Sequence, residues 1–231
     1  LGVSLVLKRY SMIGDGLSHV GFGALSIAMA MNVAPLAVAI PVVVAAAFLL
    51  LRLSQNGKLR GDSAIALISS GALAAGVLVT SLSSGLNADV YGYMFGSILS
   101  MGEGDVILSL ILALVVLVMF ILFYNNIFAI TFDESFARAT GTRANLYSMI
   151  IALLTALTIV IGMRIMGTML ISGLIIFPAL TAMRLCSSFR GVVLLSALVS
   201  VLCFLIGMVL SYAIATPAGA SIVMTLSLIH I

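Results

Sequence analysis

The chain has 231 residues, of which 63% are hydrophobic and only 7% are charged, and its mean hydropathy is +1.36. This composition excludes a soluble globular protein, and the net charge of +3 comes from basic residues that lie singly or in pairs, so no nucleic-acid partner is predicted. We predict an all-α, polytopic transmembrane helical bundle in membrane lipid, forming a single domain over residues 1–231.

The first complete span is predicted to begin after the basic pair Lys8 and Arg9 and to run to about Met31. A basic pair of this kind marks the cytoplasmic end of a span. The same span contains Asp15 and His19. At a rise of about 1.5 Å per residue, Asp15 lies roughly 9 Å and His19 roughly 15 Å beyond Arg9, which predicts that His19 is close to the midplane of a hydrocarbon layer about 30 Å thick.

Asp15 and His19 are the candidate metal ligands. Their spacing of four residues puts both side chains on one helix face, and a carboxylate oxygen and an imidazole nitrogen both suit a divalent first-row metal ion. Ionisable groups at this depth cost roughly 2.5 to 3.5 kcal/mol each, which favours a functional role. Two structural alternatives stay open: Asp15 could be the N-cap of a helix that begins later, or the pair could be a hydrogen bond that only fixes helix packing.

Further apolar segments bring the prediction to about seven to eight spans, with both ends truncated because the first and last segments are too short to cross a bilayer. The segment 83–104 carries acidic but no basic residues, as expected of an outer loop, and its stretch NADVYGYMFGSIL predicts an interfacial or re-entrant helix. This topology places every Lys and Arg except Arg164 at the cytoplasmic face. The predicted spans are 35–53, 62–82, 105–124, 146–163, 166–184 and 192–213, and 125–145 is the longest polar interval.

The stretch FDESFARATG, residues 132–141, is the candidate docking segment for a partner. Asp133 and Glu134 are expected at the start of a short helix that Gly141 ends, with Phe132 and Phe136 four residues apart on one side. Two aromatic residues on an exposed amphipathic helix fit a partner's groove. The alternative is a helix that lies on the lipid surface. Since the chain contains no GxxxxGK[ST] motif, any ATP would have to be bound by another chain.

Six segments of the chain, in this order, resemble those of one protein family. They are RYSMIGDGLSHVGFGALSIA, GDSAIALISSGAL, YGYMFGSIL, FDESFARATG, GTMLISGLIIFPALTAMRL and TPAGAS. Together they resemble the permease subunit of the ATP-binding-cassette importers for zinc, manganese and iron, over nearly the whole chain.

The resemblance implies a homodimeric permease in a bacterial plasma membrane, paired with a cytoplasmic ATPase and with an extracellular or periplasmic metal-binding protein. The family's metal-path Asp and His fall on Asp15 and His19. Its ATPase-coupling segment falls on Phe132, Asp133, Glu134, Phe136, Ala137 and Gly141. The chain would do no covalent chemistry and hold no permanent cofactor.

Two copies facing across a shared pore would supply two carboxylates and two imidazoles, which suit Zn²⁺ or Mn²⁺. Pro178 could contribute a freed backbone carbonyl to the path, although a structural kink is the competing interpretation. We predict an importer of a divalent ion, with zinc ranked ahead of manganese and iron. The alternatives are a proton-coupled secondary metal transporter and an ATP-driven importer of chelated cargo such as a siderophore or cobalamin.

Overall fold

The computed structural model describes residues 1–8, 10, 12–55, 61–83, 96 and 102–230. This part of the chain is helical and contains no strand, so the predicted all-α bundle is confirmed. Its helices are α1 (Gly2–Leu7), α2 (Ile13–Ala30), α3 (Pro35–Gln55), α4 (Gly61–Leu82), α5 (Glu103–Leu122), α6 (Tyr124–Phe132), α7 (Glu134–Ala139), α8 (Ala144–Met166), α9 (Thr168–Leu185), α10 (Phe189–Ile214) and α11 (Ala218–His230).

Helix α2 lies at the centre of the bundle. It packs against α3, α4, α8 and α9, and its contact with α4 is the most extensive in the described chain. Leu17, Val20 and Leu25 of α2 belong to the largest buried apolar cluster, together with residues of α3, α4 and α8. Glycines let the neighbours approach closely: a Cβ on Gly16 would lie 2.6 Å from Ile65 Cγ2, and one on Gly21 would lie 2.6 Å from Met163 Sδ.

Four helices of the described residues are long and apolar enough to cross a membrane: α3, α4, α8 and α10. Helices α5 and α6 form a further candidate span, bent by 70° at the break between them. Helix α2 has 18 residues, and Asp15 and His19 lower its hydropathy. Helices α9 and α11 are shorter apolar helices.

The start of α2 differs from the prediction. The helix begins at Ile13 with Met12 as its N-cap, so it is not continuous from Arg9, and Asp15 lies in its first turn instead of capping it. The chain turns between α1 and α2 through backbone hydrogen bonds from Tyr10 N to Leu5 O and from Ile13 N to Tyr10 O. His19 therefore lies roughly 9 Å along α2 from its first residue.

The interval 125–145, predicted as the longest polar interval of the chain, begins with a partly buried helix. Residues Tyr124–Phe132 form helix α6, in which Ile127 and Ile130 are fully buried. The helix predicted within NADVYGYMFGSIL lies outside the described residues except for Gly96. That glycine has φ +76°, and a Cβ on it would lie 2.3 Å from the carbonyl carbon of Met166, where α8 ends.

Candidate metal-path site

Asp15 and His19 occupy the one open strip along the first half of α2. Every other residue from Ile13 to Ser26 is buried, whereas the side chain of Asp15 is 39% exposed and that of His19 is 18% exposed. The two side chains share a helix face, as their spacing predicted. The costly ionisable groups of this helix are thus not packed into the apolar core.

The two side chains are also close enough to bind one ion. The Asp15 Oδ2 and His19 Nε2 atoms are 3.6 Å apart, which is too long for a hydrogen bond. Around a tetrahedral Zn²⁺ with ligand bonds of about 2.0 to 2.1 Å, an oxygen and a nitrogen would be separated by about 3.3 Å. The distance between Asp15 Oδ2 and His19 Nε2 therefore needs to shorten by only a few tenths of an ångström for both atoms to bind one ion.

The surroundings of the pair are asymmetric. Ser172 of α9 lies beside the first turn of α2 on the side of Asp15: a Cβ on Gly14 would lie 4.0 Å from Ser172 Cα. The other ring nitrogen of His19, Nδ1, is buried and has no hydrogen-bond partner among the described residues. This nitrogen is the ring atom through which a second hydrogen bond would orient a metal-binding histidine.

The open strip lies between α4 and α9. On one side, Gly16 of α2 contacts Ile65 of α4, and on the other side Gly14 contacts Ile175 of α9. Asp15 lies between these two contacts along the helix. No cluster of three or more His, Cys, Asp or Glu side chains occurs in the described residues, which bring together the Asp15 carboxylate and the His19 imidazole.

The predicted coupling segment begins as expected. Asp133 has extended backbone and its carboxylate accepts a hydrogen bond of 2.9 Å from Phe136 N, so it is the N-cap of α7. The helix ends at Ala139, and Gly141 just beyond it has φ +85°, a conformation that favours glycine. Phe132, however, is the last residue of α6, so it does not share a helix with Phe136 as predicted.

The side chains of this segment divide between two sides. Phe132 and Phe136 are exposed, at 60% and 66%, whereas Ala137 is fully buried. Glu134 turns inward, and its Oε2 atom lies 3.3 Å from the Nζ atom of Lys8. The two phenylalanines are therefore available to a partner, and Ala137 and Glu134 attach the helix to the bundle.

An aromatic cluster that sequence reasoning missed supports Phe132. Its ring lies 4.9 Å from that of Phe128 and 5.9 Å from that of Phe189, centroid to centroid. Tyr124 also packs on Phe189, with Arg190 over its ring. The cluster joins α6 to the start of α10, and no local pattern indicates it because the two parts are far apart in sequence.

Pro178 is buried inside α9, which continues through it from Thr168 to Leu185. It lies six residues beyond Ser172, the residue of this helix that lies beside the first turn of α2. Two other residues of the site were not singled out from the sequence. They are Ser172 itself, whose type carries no special signal, and Lys8, which was predicted only as a marker of the membrane boundary.

Comparisons with known proteins identify the family of the chain. The sequence model of the ABC 3 transport family matches residues 1–231. The chain belongs to this family. Its relatives include the manganese import system permease protein ScaB of Streptococcus gordonii, which is 27% identical over 231 residues, or 100% of this chain and 83% of that protein.

Relatives named for another metal are equally similar. The high-affinity zinc uptake system membrane protein ZnuB of Haemophilus influenzae is 28% identical over 223 residues, or 96% of this chain and 85% of that protein. Among solved structures, PsaBC from Streptococcus pneumoniae in complex with Fab matches with a TM-score of 0.87 and 26% identity, over 99% of this chain and 82% of that chain.

These findings confirm the resemblance to metal permeases of the ATP-binding-cassette type. The chain is a multi-pass membrane permease subunit of a metal transport system. Manganese and zinc both occur in the names of its relatives, so the comparisons do not decide between the two ions.

Proposed function

We propose that the chain carries Zn²⁺ or Mn²⁺ into a bacterial cell by alternating access, with Asp15 and His19 as its ligands for the passing ion. The observation that carries this proposal is the 3.6 Å approach of a carboxylate oxygen and an imidazole nitrogen on the open strip of the otherwise buried first half of α2. Both ions accept this pair of ligands. Fe²⁺ accepts it too and ranks behind them, because the relatives described above are named for manganese and zinc.

A second copy of the chain would complete the site. One chain brings two ligand side chains together, and a two-fold dimer with the open strips facing each other would bring four. Two oxygens and two nitrogens around one ion suit Zn²⁺ or Mn²⁺. The site should bind weakly, since an ion held too tightly in a pathway does not leave it.

The energy for transport would come from a separate ATPase on the cytoplasmic side. It would dock on the exposed side chains of Phe132 and Phe136. The chain itself has no phosphate-binding motif. Closure of the ATPase would open the Asp15 and His19 site inward, after a metal-binding protein on the outer face of the inner membrane had delivered the ion. Family membership favours this ATP-driven scheme over proton-coupled transport.

Replacing either ligand tests the proposal. In cells whose only metal importer is this system, Asp15→Ala and His19→Ala should each reduce uptake of radiolabelled zinc and manganese to background, because one remaining ligand per chain cannot replace water around the ion. Membrane insertion and ATPase binding should be unchanged, since both side chains lie outside the packed core.

Matched controls are available for both residue types. Glu103→Ala removes an exposed carboxylate at the start of α5, and His230→Ala removes the second histidine of the chain; both variants should transport normally. Normal uptake by the Asp15 and His19 variants would refute the metal-site claim. Uptake that persists without the ATPase and collapses with the proton gradient would favour secondary transport, and uptake competed by a metal chelate but not by free metal would favour chelated cargo.

A further inference from the structure

Lys8 joins the docking helix α7 to the start of the metal-site helix. Its side chain is only 9% exposed, and its Nζ atom lies 3.3 Å from Glu134 Oε2 and donates a hydrogen bond of 3.1 Å to Ser148 Oγ of α8. Lys8 precedes Asp15 by seven residues. Between them, Tyr10 donates a backbone hydrogen bond to Leu5 O of α1, and its carbonyl oxygen accepts one from Ile13 N of α2, so Tyr10 connects α1 to the first residue of α2.

Glu134 is held from both sides. Its second oxygen, Oε1, accepts a hydrogen bond of 2.6 Å from Arg138 Nη2, and Arg138 also donates to Asn145 Oδ1 of α8 at 2.7 Å. Burial would raise the pKa of Glu134, but the hydrogen bond from Arg138 and the charge of Lys8 outweigh it and hold the pKa below its ordinary value. The carboxylate is therefore ionised at neutral pH, and its position follows Lys8 and Arg138 together.

The surroundings of Lys8 make the pair sensitive to movement. The ammonium lies beside a small cavity lined largely by apolar residues, among them Leu5, Ile13 and Leu51. Burial lowers the pKa of Lys8, and the Glu134 carboxylate opposes that shift. Because a buried charge that loses its partner is strongly unfavourable, α7 cannot move away from Lys8 without drawing it along.

We infer that the Lys8–Glu134 ion pair transmits the motion of α7 to the first turn of α2, where Asp15 and His19 lie. Lys8 is thus a positioning residue for transport, acting on the metal ligands through the α1 to α2 connection. This inference rests on the proposed function, in which an ATPase acts on α7. It names the contact through which movement of the ATPase would change the position of the metal ligands.

The test compares two activities in one preparation. The permease is reconstituted with its ATPase in proteoliposomes, and zinc uptake and ATP hydrolysis are measured in parallel, together with ATPase binding. In Lys8→Met/Glu134→Gln, neither charge is left unpaired, so the variant should fold and bind the ATPase. We expect its hydrolysis to continue while the zinc taken up per ATP falls roughly tenfold or more, the size of an allosteric coupling.

A basic residue outside the pair serves as the control for the loss of a positive charge. Arg52 is an exposed basic residue in the last turn of α3, and Arg52→Gln should leave the uptake per ATP within about twofold of the parent. The single variant Glu134→Gln should uncouple as the double variant does, provided that it remains folded.

The outcomes distinguish this inference from the proposed function. If the parent shows no ATP-dependent metal uptake, the proposed function fails. If the parent transports and the double variant takes up as much zinc per ATP, the inference alone is overturned. A parallel fall of uptake, hydrolysis and ATPase binding in the double variant also overturns it, because the pair would then only support the fold.

Discussion

Gly23 marks the closest backbone approach between α2 and α4. A Cβ on Gly23 would lie 2.6 Å from the carbonyl oxygen of Ala72, and a backbone atom inside two packed helices cannot move aside easily. Gly71, one residue before Ala72, has nothing within 4 Å of such a Cβ. The two glycines thus lie close to the same helix interface, but only Gly71 has room for a methyl group.

Alanine at these two positions should therefore have opposite effects. Gly23→Ala should destabilise the protein by about 1 to 3 kcal/mol through overpacking. Gly71→Ala should be neutral or stabilise it by up to about 1 kcal/mol, since alanine is the better helix former. Thermal unfolding in detergent can be followed with a thiol-reactive dye that reports exposure of the buried Cys203, in a Cys186→Ser background. Equal melting temperatures for the two variants would contradict the packing described here.

Single residues differ in how far their role could be predicted. The pairing of Asp15 with His19 follows from helical periodicity alone, and the structure brings these two side chains together. The pairing of Lys8 with Glu134 joins residues 126 positions apart, and only the packing of α7 against the bundle creates it. The approach of Ser172 to the first turn of α2 likewise depends on how α9 crosses α2.

At the scale of whole elements, α7 has one side that is buried against the bundle and one side that is exposed. Ala137 is buried with Ile127 and Ile130 of α6 and Leu5 of α1 in one apolar cluster. Phe136 faces away from it and, unlike Phe132, makes no ring contact with an aromatic residue of the described chain. An exposed aromatic side chain that no intramolecular packing requires is a good candidate for an interface anchor.

Phe136→Ala should weaken the binding of the ATPase roughly tenfold or more, the usual effect of truncating an aromatic anchor. The stability of the permease should hardly change, because the ring is exposed. The dissociation constant can be measured with the purified ATPase and the permease in nanodiscs. Tyr212→Ala is the matched control, since Tyr212 is 93% exposed near the end of α10 that was predicted to face outside. An unchanged affinity for the Phe136 variant would show that the partner docks elsewhere.

The elements themselves were only partly predictable. Capping chemistry located α7, because Asp133 precedes its first turn and Gly141 follows its last. The bend between α5 and α6 could not be found in this way. The stretch Tyr124–Phe132 mixes two asparagines with apolar residues, and it becomes a separate helix because Ile127 and Ile130 are buried against α1 and α8.

For the molecule as a whole, hydropathy alone predicted the all-α membrane bundle, because every described helix except the short α7 is rich in apolar residues. The number of spans was harder to predict, since α2 carries two ionisable residues and α9 and α11 are short. The dimer proposed above is a property of the whole assembly. If the open strips of two copies share one ion, the two chains must have a defined arrangement.

Cross-linking tests this arrangement directly. In a Cys186→Ser/Cys203→Ala background, His19→Cys should be joined into a covalent dimer by a short bifunctional maleimide, because two strips that share one ion must lie within a few ångströms of each other. Leu114→Cys is the matched control: Leu114 is 58% exposed near the middle of α5, a helix that contacts α6 and α8. It should remain monomeric under the same conditions. Equal yields at the two positions would indicate random collisions in the membrane, and a yield only at Leu114 would place the dimer contact on α5 and leave each ion site facing away from its partner.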